Sequence, residues 1–220
     1  LSIPLYILAG NIMARGVMAA RLVRLMRALS APVPGGLAMA TVLSCAVFAA
    51  VSGSGTVTML AIGSVMYPAL VAAGYPRSFA IGALASAGTL GIIIPPSIPL
   101  ILYGVMTQTS IADLFLAGIG PGLLLTAVFT SYAFLRNRRL RGGPWDTGEA
   151  LAALAGGSWS LAMPLIVLGG IYSGHFTATE SAVVAVVYAT FVEMVVYREM
   201  TPAVLGEVVV ATTRLVGSLF

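Results

Sequence analysis

The sequence predicts an all-α polytopic membrane protein, on three observations. Hydrophobic residues fill 59% of the 220 positions and charged residues only 8%, with a mean hydropathy of +1.03. Such a composition belongs to chains whose solvent is lipid. The stretch from Pro34 to Pro76 carries no charge, yet Ser52, Gly53, Ser54, Gly55 and Thr56 interrupt it at its centre. A later apolar span holds Gly88, Gly91, Pro95, Pro96, Ser97 and Pro99 near its middle.

The remaining composition excludes several classes. All eleven basic residues are arginine, and the net charge of +4 concerns topology in a lipid bilayer rather than nucleic acid. Cys45 is the single cysteine, set in an apolar run. There is accordingly no disulfide framework and no metal-ligand spacing, and Cys45 reads as a small buried hydrophobe. The chain begins on Leu1 rather than Met and stops at Phe220 inside an apolar segment, so a fragment of a longer protein is expected.

Residues 1–31 read as the end of a transmembrane helix followed by an amphipathic helix. In that helix Arg15, Arg21, Arg24 and Arg27 form a solvated face at the membrane surface. Arginine-rich short loops stay cytoplasmic, which orients the chain. Residues 32–77 admit two readings. In one, two ordinary spans are joined at the far surface by the S-G-S-G-T turn, since about 20 residues cross the hydrocarbon core. In the other, a re-entrant hairpin puts that turn at membrane depth, where irregular backbone survives only within protein or beside a cavity. The turn lacks the charged and aromatic anchors usual at a surface. Both readings return Arg77 to the cytoplasmic side.

Residues 78–106 form one span, and adjacent prolines at 95 and 96, with a third at 99, break it open. Residues 107–135 return; Ser110 and Asp113 form a helix-capping pair, and Gly118, Gly120 and Gly122 permit close packing. Arg136, Arg138, Arg139 and Arg141 then fall on the side of the first arginine cluster. Residues 136–160 read as a cytoplasmic linker with a short interfacial helix near Asp146, flanked by Trp145 and Trp159 as interfacial anchors. Residues 161–200 supply two apolar arms around HFTATE, and 201–220 begin a further helix, with Thr201 as N-cap before Pro202.

Few side chains could carry chemistry. Glu180 follows Thr177 and Thr179 at a turn, as a helix N-terminal carboxylate would. His175 is the only histidine, and Glu193 and Arg214 read as helix-helix contacts. None makes a catalytic pair, so no enzyme is expected. A serine hydrolase would need glycine where Ser52 stands, and a channel would use the S-G-S-G-T-V-T carbonyls as a filter; neither uses the proline break. A secondary transporter uses both interruptions. Discontinuous helices there present half-helix N-termini to anionic groups, while unwound carbonyls and hydroxyls coordinate sodium near the midplane.

The runs PLYILAGNIM, AAVSGSGTVTMLAIG, MYPALVAAGYPRSFAIGAL, GTLGIIIPPSIPLILYG, SIADLFLAGIGPGLL and GGIYSGHFTATESAVVAVVYA resemble the large membrane subunit of TRAP transporters, the tripartite ATP-independent periplasmic family. The resemblance covers nearly the whole chain. It implies an inverted-repeat, elevator-type fold in the bacterial inner membrane, with sodium-coupled import of organic acids. The implied partners are a small membrane subunit and a periplasmic substrate-binding protein, with no cofactor beyond the coupling ion. On this basis Ser52, Gly53, Ser54, Gly91, Pro95 and Pro96 are the expected sodium positions. Ser54, Gly55, Thr56 and Ser97 are expected at the substrate, with Thr177 and Thr179 as secondary candidates. One departure is Ala178, where the family has proline, giving T-A-T-E. The second hairpin and second broken helix are expected beyond Phe220. A standalone sodium-carboxylate symporter of related architecture, or a channel, is the alternative.

Overall fold

The computed structural model describes residues 2–140 and 142–219. Leu1, Arg141 and Phe220, which entered the topological reading above, lie outside the described residues. Every regular element described is helical. The first, α1 (Ser2–Arg15), meets α2 (Met18–Ser30) at a bend of 69°. Helix α2 buries Met18, Leu22, Val23, Leu25 and Met26 on one side and exposes Arg24 and Arg27 on the other. Its arginines are not simply solvated, as expected from sequence. Arg21 lies 4.0 Å over the Tyr197 ring, and Arg24 grips Glu149 through two contacts of 2.7 and 2.8 Å.

Pro32 and Pro34 end α2, and Gly35, at φ 71°, turns the chain into α3 (Gly36–Ser52). Helix α4 (Gly55–Ala72) returns. The next span is three pieces, α5 (Arg77–Gly88), α6 (Leu90–Ile93) and α7 (Ile98–Thr107), and α8 (Ile111–Asn137) runs back. The Asp113 amide donates to Ser110 Oγ at 3.3 Å, which is the expected cap of α8. Then come α9 (Thr147–Tyr172), α10 (Ala178–Phe191), one π-helical turn (Val192–Val196) and α11 (Pro202–Leu219). The Val204 amide bonds Thr201 Oγ1 at 3.4 Å, as an N-cap should.

Two readings need correction. The linker and first arm, 136–160 and 161–173, are divided wrongly, because α9 is continuous over its 26 residues. Asp146 caps it through the Gly148 and Glu149 amides, and the alanine-rich run that follows favours helix strongly enough to carry Gly156 and Gly157. Trp159 therefore sits halfway along a span rather than at its end. It packs against Tyr188, whose hydroxyl donates to the Trp159 carbonyl at 2.9 Å.

Among the described residues, five helical stretches are long and apolar enough to cross a membrane: Gly55–Ala72, Arg77–Thr107, Ile111–Asn137, Thr147–Tyr172 and Ala178–Val196. The helices pack as two groups. Helix α1 lies on α10 and α11, α2 on α9, and α9 on α10; α3 gathers α4, α5, α6 and α8, and α7 lies on α8. The groups meet most extensively where α2 lies on α3, and also where α1 touches α3 and α4, α2 touches α4 and α9 touches α3.

A buried carboxylate fixes the first group. Glu193, fully enclosed on the π turn, accepts from the Val17 amide at 3.1 Å and the Met18 amide at 2.8 Å. These are N–H groups at the start of α2, which no residue of α2 itself can satisfy. Gly16 is required beside them, because a Cβ there would overlap the Glu193 carboxyl. Ser160 of α9 completes the joint by donating to the Met18 carbonyl at 3.0 Å. Replacing Glu193 with alanine strands two buried donors, so Glu193→Ala should destabilise the full-length protein by roughly 2–4 kcal/mol. Glu193→Gln, which keeps an acceptor oxygen, should lose less. Thermal unfolding in detergent measures both, and an unchanged midpoint for the alanine variant would contradict the joint.

Candidate functional site

The interruption at Ser52–Thr56 is a tight turn with every residue assigned a task. Ser52 ends α3, and Gly53, at φ 61°, closes its last turn by donating its amide to the Ala49 carbonyl. Any side chain at Gly53 would cost about 1–2 kcal/mol in that left-handed conformation. Ser54 is the N-cap of α4, accepting from the Val57 amide. The Ser52 hydroxyl is buried and shares a 2.7 Å hydrogen bond with Thr58 Oγ1. It also faces the Ser54 carbonyl at 3.3 Å.

The second interruption lies directly against the first. Helix α6 stops at Ile93, the Pro95–Pro96 peptide is cis, and α7 starts after Ser97, with Pro99 in its first turn. Ser97 is buried and donates its hydroxyl to the Ile92 carbonyl, bridging the break. The Ile98 amide donates to the Gly53 carbonyl at 3.1 Å, joining break to tip. A Cβ on Gly91 would stand 2.8 Å from Ser54 C and 2.9 Å from Gly55 N, and one on Gly53 would stand 2.8 Å from the Pro96 carbonyl oxygen. Glycine is thus demanded at both positions by backbone meeting backbone.

Two further helices hold this junction from outside. Gly10 of α1 fits against Ser52, where a Cβ would come within 2.8 Å, and Gly118 and Gly122 of α8 fit against Ile93 and Ile94. Gly120, expected to share that packing, has nothing within 4 Å. It sits two residues from Gly118 and from Gly122, and residues two apart do not share a helix face.

The depth of the tip follows from helix lengths. From Arg77 to Ile93 the broken span runs 17 residues, about 25 Å of helix, before it reaches the tip; α7 then continues for 10 residues, about 15 Å, beyond it. Helix α1 agrees. Its Tyr6 hydroxyl meets the start of α10 at the Ala178 carbonyl and Ser181, and its far end meets Glu193. Gly10, against the tip, lies between these. The hairpin therefore turns inside the bundle. Its two open ends share one cavity of about 610 Å³, lined by Gly36 and Tyr75 together with Arg24 and Arg27.

Four helix ends thus converge: the C-termini of α3 and α6 and the N-termini of α4 and α7. Among the described residues no backbone amide is directed at the Ala50, Val51, Ser52, Pro95 or Pro96 carbonyls, and the Gly55, Thr56 and Leu100 amides donate to no carbonyl. Carbonyl oxygens at the negative ends of helices suit a small hard cation, and free amides at positive ends suit an anion. The nearest cluster of His, Cys, Asp and Glu that could bind a transition metal is absent among the described residues.

The other expected positions lie apart from this junction. Thr177 caps α10 in a reciprocal box with Glu180; Thr177, Thr179 and Glu180 are all exposed. Thr58, Gly10 and the Ile98 amide were not singled out from sequence. Thr58 had a local signal, standing two residues beyond Thr56 in S-G-S-G-T-V-T; Gly10 and Ile98 act through tertiary contact and had none.

Half-helix ends facing one another inside the bundle define a polytopic helical membrane protein of the discontinuous-helix class. The family model described as the tripartite ATP-independent periplasmic transporter, DctM component, matches residues 1–220. The chain belongs to that family. It is 45% identical over 203 residues to the C4-dicarboxylate TRAP transporter large permease protein of Pseudomonas aeruginosa, covering 91% of this chain and 48% of that protein. It is 41% identical over 206 residues to the ectoine/5-hydroxyectoine TRAP transporter large permease protein of Ruegeria pomeroyi, covering 92% and 48%. To the 2,3-diketo-L-gulonate TRAP transporter large permease protein of Escherichia coli it is 39% identical over 217 residues, covering 97% and 51%. The chain thus spans about half the length of these relatives, all named as transporter permeases rather than enzymes.

Because Gly91 touches backbone, Gly91→Ala should cost the full-length protein about 1–3 kcal/mol. Gly120→Ala, in open space, should be neutral or stabilising by up to about 1 kcal/mol. Unfolding midpoints measure the difference, and equal behaviour would separate the tip from the break.

Proposed function

We propose that this chain is part of the large permease subunit of a TRAP transporter, importing an organic acid across the inner membrane with sodium as coupling ion. The observation that carries the reading is the junction of hairpin tip and broken helix. It offers unpaired carbonyls from Ser52, Pro95 and Pro96 beside unpaired amides from Gly55, Thr56 and Leu100. Sodium takes the carbonyl and hydroxyl oxygens at Ser52, Gly53, Ser54, Gly91, Pro95 and Pro96. A substrate carboxylate takes the amide ends and hydroxyls at Ser54, Gly55, Thr56 and Ser97. Thr177 and Thr179 remain secondary candidates. The site has no Arg or Lys, so helix ends must supply the positive field.

The relatives are named for three different substrates, which favours a permease half that reads a shared feature of its cargo. A periplasmic binding protein and a small membrane subunit are the partners that a tripartite family calls for. The two packing groups support an elevator motion, in which α3–α8 carry the junction past a frame of α1, α2, α9, α10 and α11. In this scheme Gly10, where frame meets tip, lines the sliding surface.

In the complete protein with its partner subunits in liposomes, Ser54→Ala and Pro96→Ala should each reduce sodium-driven uptake of labelled C4-dicarboxylate at least tenfold. Membrane insertion should be retained. Unchanged uptake in both variants would remove the junction from the transport site.

A further inference from the structure

We infer that the cavity between α2 and the start of α3 is a binding site for an anionic phospholipid headgroup of the cytoplasmic leaflet. The cavity holds about 610 Å³ and is walled by Arg24 and Arg27 of α2, Gly36 and Leu37 at the start of α3, Gly143, and Glu149 of α9. Among the described residues its charged groups are these two arginines and Glu149. Glu149 is already held in a two-point pair with Arg24, leaving Arg27 in excess. The ion pairs among the described residues are Arg15 with Glu207 and Arg24 with Glu149, so Arg27 has no carboxylate partner there. The Leu37 amide on the same wall donates to no backbone carbonyl. The cavity therefore presents a guanidinium, a free amide and a net positive charge in one concave place.

The surroundings select a lipid over a free anion. Helix α2 turns 69° away from α1 and buries its apolar face on α9 and α3, which leaves Arg24 and Arg27 on the side that lines the cavity. Ala28, Ala31, Val33, Leu37, Ala73 and Leu140 line the cavity beside its arginines, giving apolar walls to a basic floor. Apolar walls around a guanidinium suit a ligand that carries acyl chain next to an anionic headgroup better than a free anion. The same side carries Arg77, Arg136, Arg138 and Arg139, all exposed and without a carboxylate partner among the described residues. Basic pockets between helices on the cytoplasmic side bind anionic headgroups in this way, and a single arginine near the surface is worth about a fivefold change in affinity. The inference does not depend on the transport reading, because binding is measured without uptake.

The test is native mass spectrometry of the full-length permease titrated with phosphatidylglycerol or phosphatidylcholine. Phosphatidylglycerol should bind more tightly. Arg27→Gln should weaken it about fivefold, and Arg77→Gln, on the same side but outside the cavity, should leave it unchanged. Gly143→Leu keeps every charge and fills the cavity, since only the Ala31 carbonyl lies within 4 Å of a Cβ there; it should lose binding as well, and it serves if Arg27→Gln does not fold. Four outcomes would overturn the site: equal binding of phosphatidylcholine, equal losses in Arg27→Gln and Arg77→Gln, displacement by inorganic phosphate, or exclusion of lipid by a copurifying protein subunit.

Discussion

The bond from the Ile98 amide to the Gly53 carbonyl is the point on which the inner half of the bundle depends. Two chain breaks in an apolar environment each expose backbone groups that lipid cannot satisfy. Neither break is stable alone. Set against each other, each supplies what the other lacks, and the Ser97 hydroxyl and the Ser52–Thr58 pair take up part of the remainder. Glycine at 53, 55, 88 and 91 then follows, because only hydrogen fits where two backbones close to contact. The few groups still unpaired are those a cation and an anion could use.

Much of this was legible in the sequence, for reasons that can be stated residue by residue. An uncharged run of this length can only be membrane-embedded, and Pro95–Pro96 can only open a helix. The residues of the tip and of the break were both identified as interruptions. Whether the tip lay at the surface or at depth was not legible from its own residues, since either path returns the chain to Arg77. Tertiary contact decided it, through Gly10 and the 10 residues of α7 beyond the break. The division of α9 failed because Trp159 read as an interfacial anchor closing a short helix, whereas the flanking helix-forming residues and the packing on α2 carry one helix through Gly156, Gly157 and Trp159. Glu193 could be marked as unusual in an apolar arm, but its partners, the amides of Val17 and Met18, lie 175 or more residues away.

The family gives this chain its place, and the geometry gives reasons for it. Relatives from three bacteria, at 39–45% identity, carry names for three different substrates. On the proposed reading, a junction built largely of backbone amides and carbonyls would suit such variety, because backbone groups recognise charge and leave the rest of a ligand unread. The outer group of helices is held in another way. Its joints are side chains acting over long sequence distances: Glu193 on α2, Arg21 on Tyr197, Ser160 on Met18 and Arg24 on Glu149.

The two connections between the groups, Ala31–Gly35 and the segment around Leu140–Gly143, are themselves bonded together. The Gly35 amide donates to the Leu140 carbonyl at 3.2 Å, and the Gly143 amide to the Ala31 carbonyl at 2.8 Å. Both tethers of the inner group therefore leave the frame at a single knot on one membrane face. Were α3–α8 to move as the proposed function has it, the knot would act as a fulcrum, and the same angular swing would carry the deep junction farther than residues beside the knot.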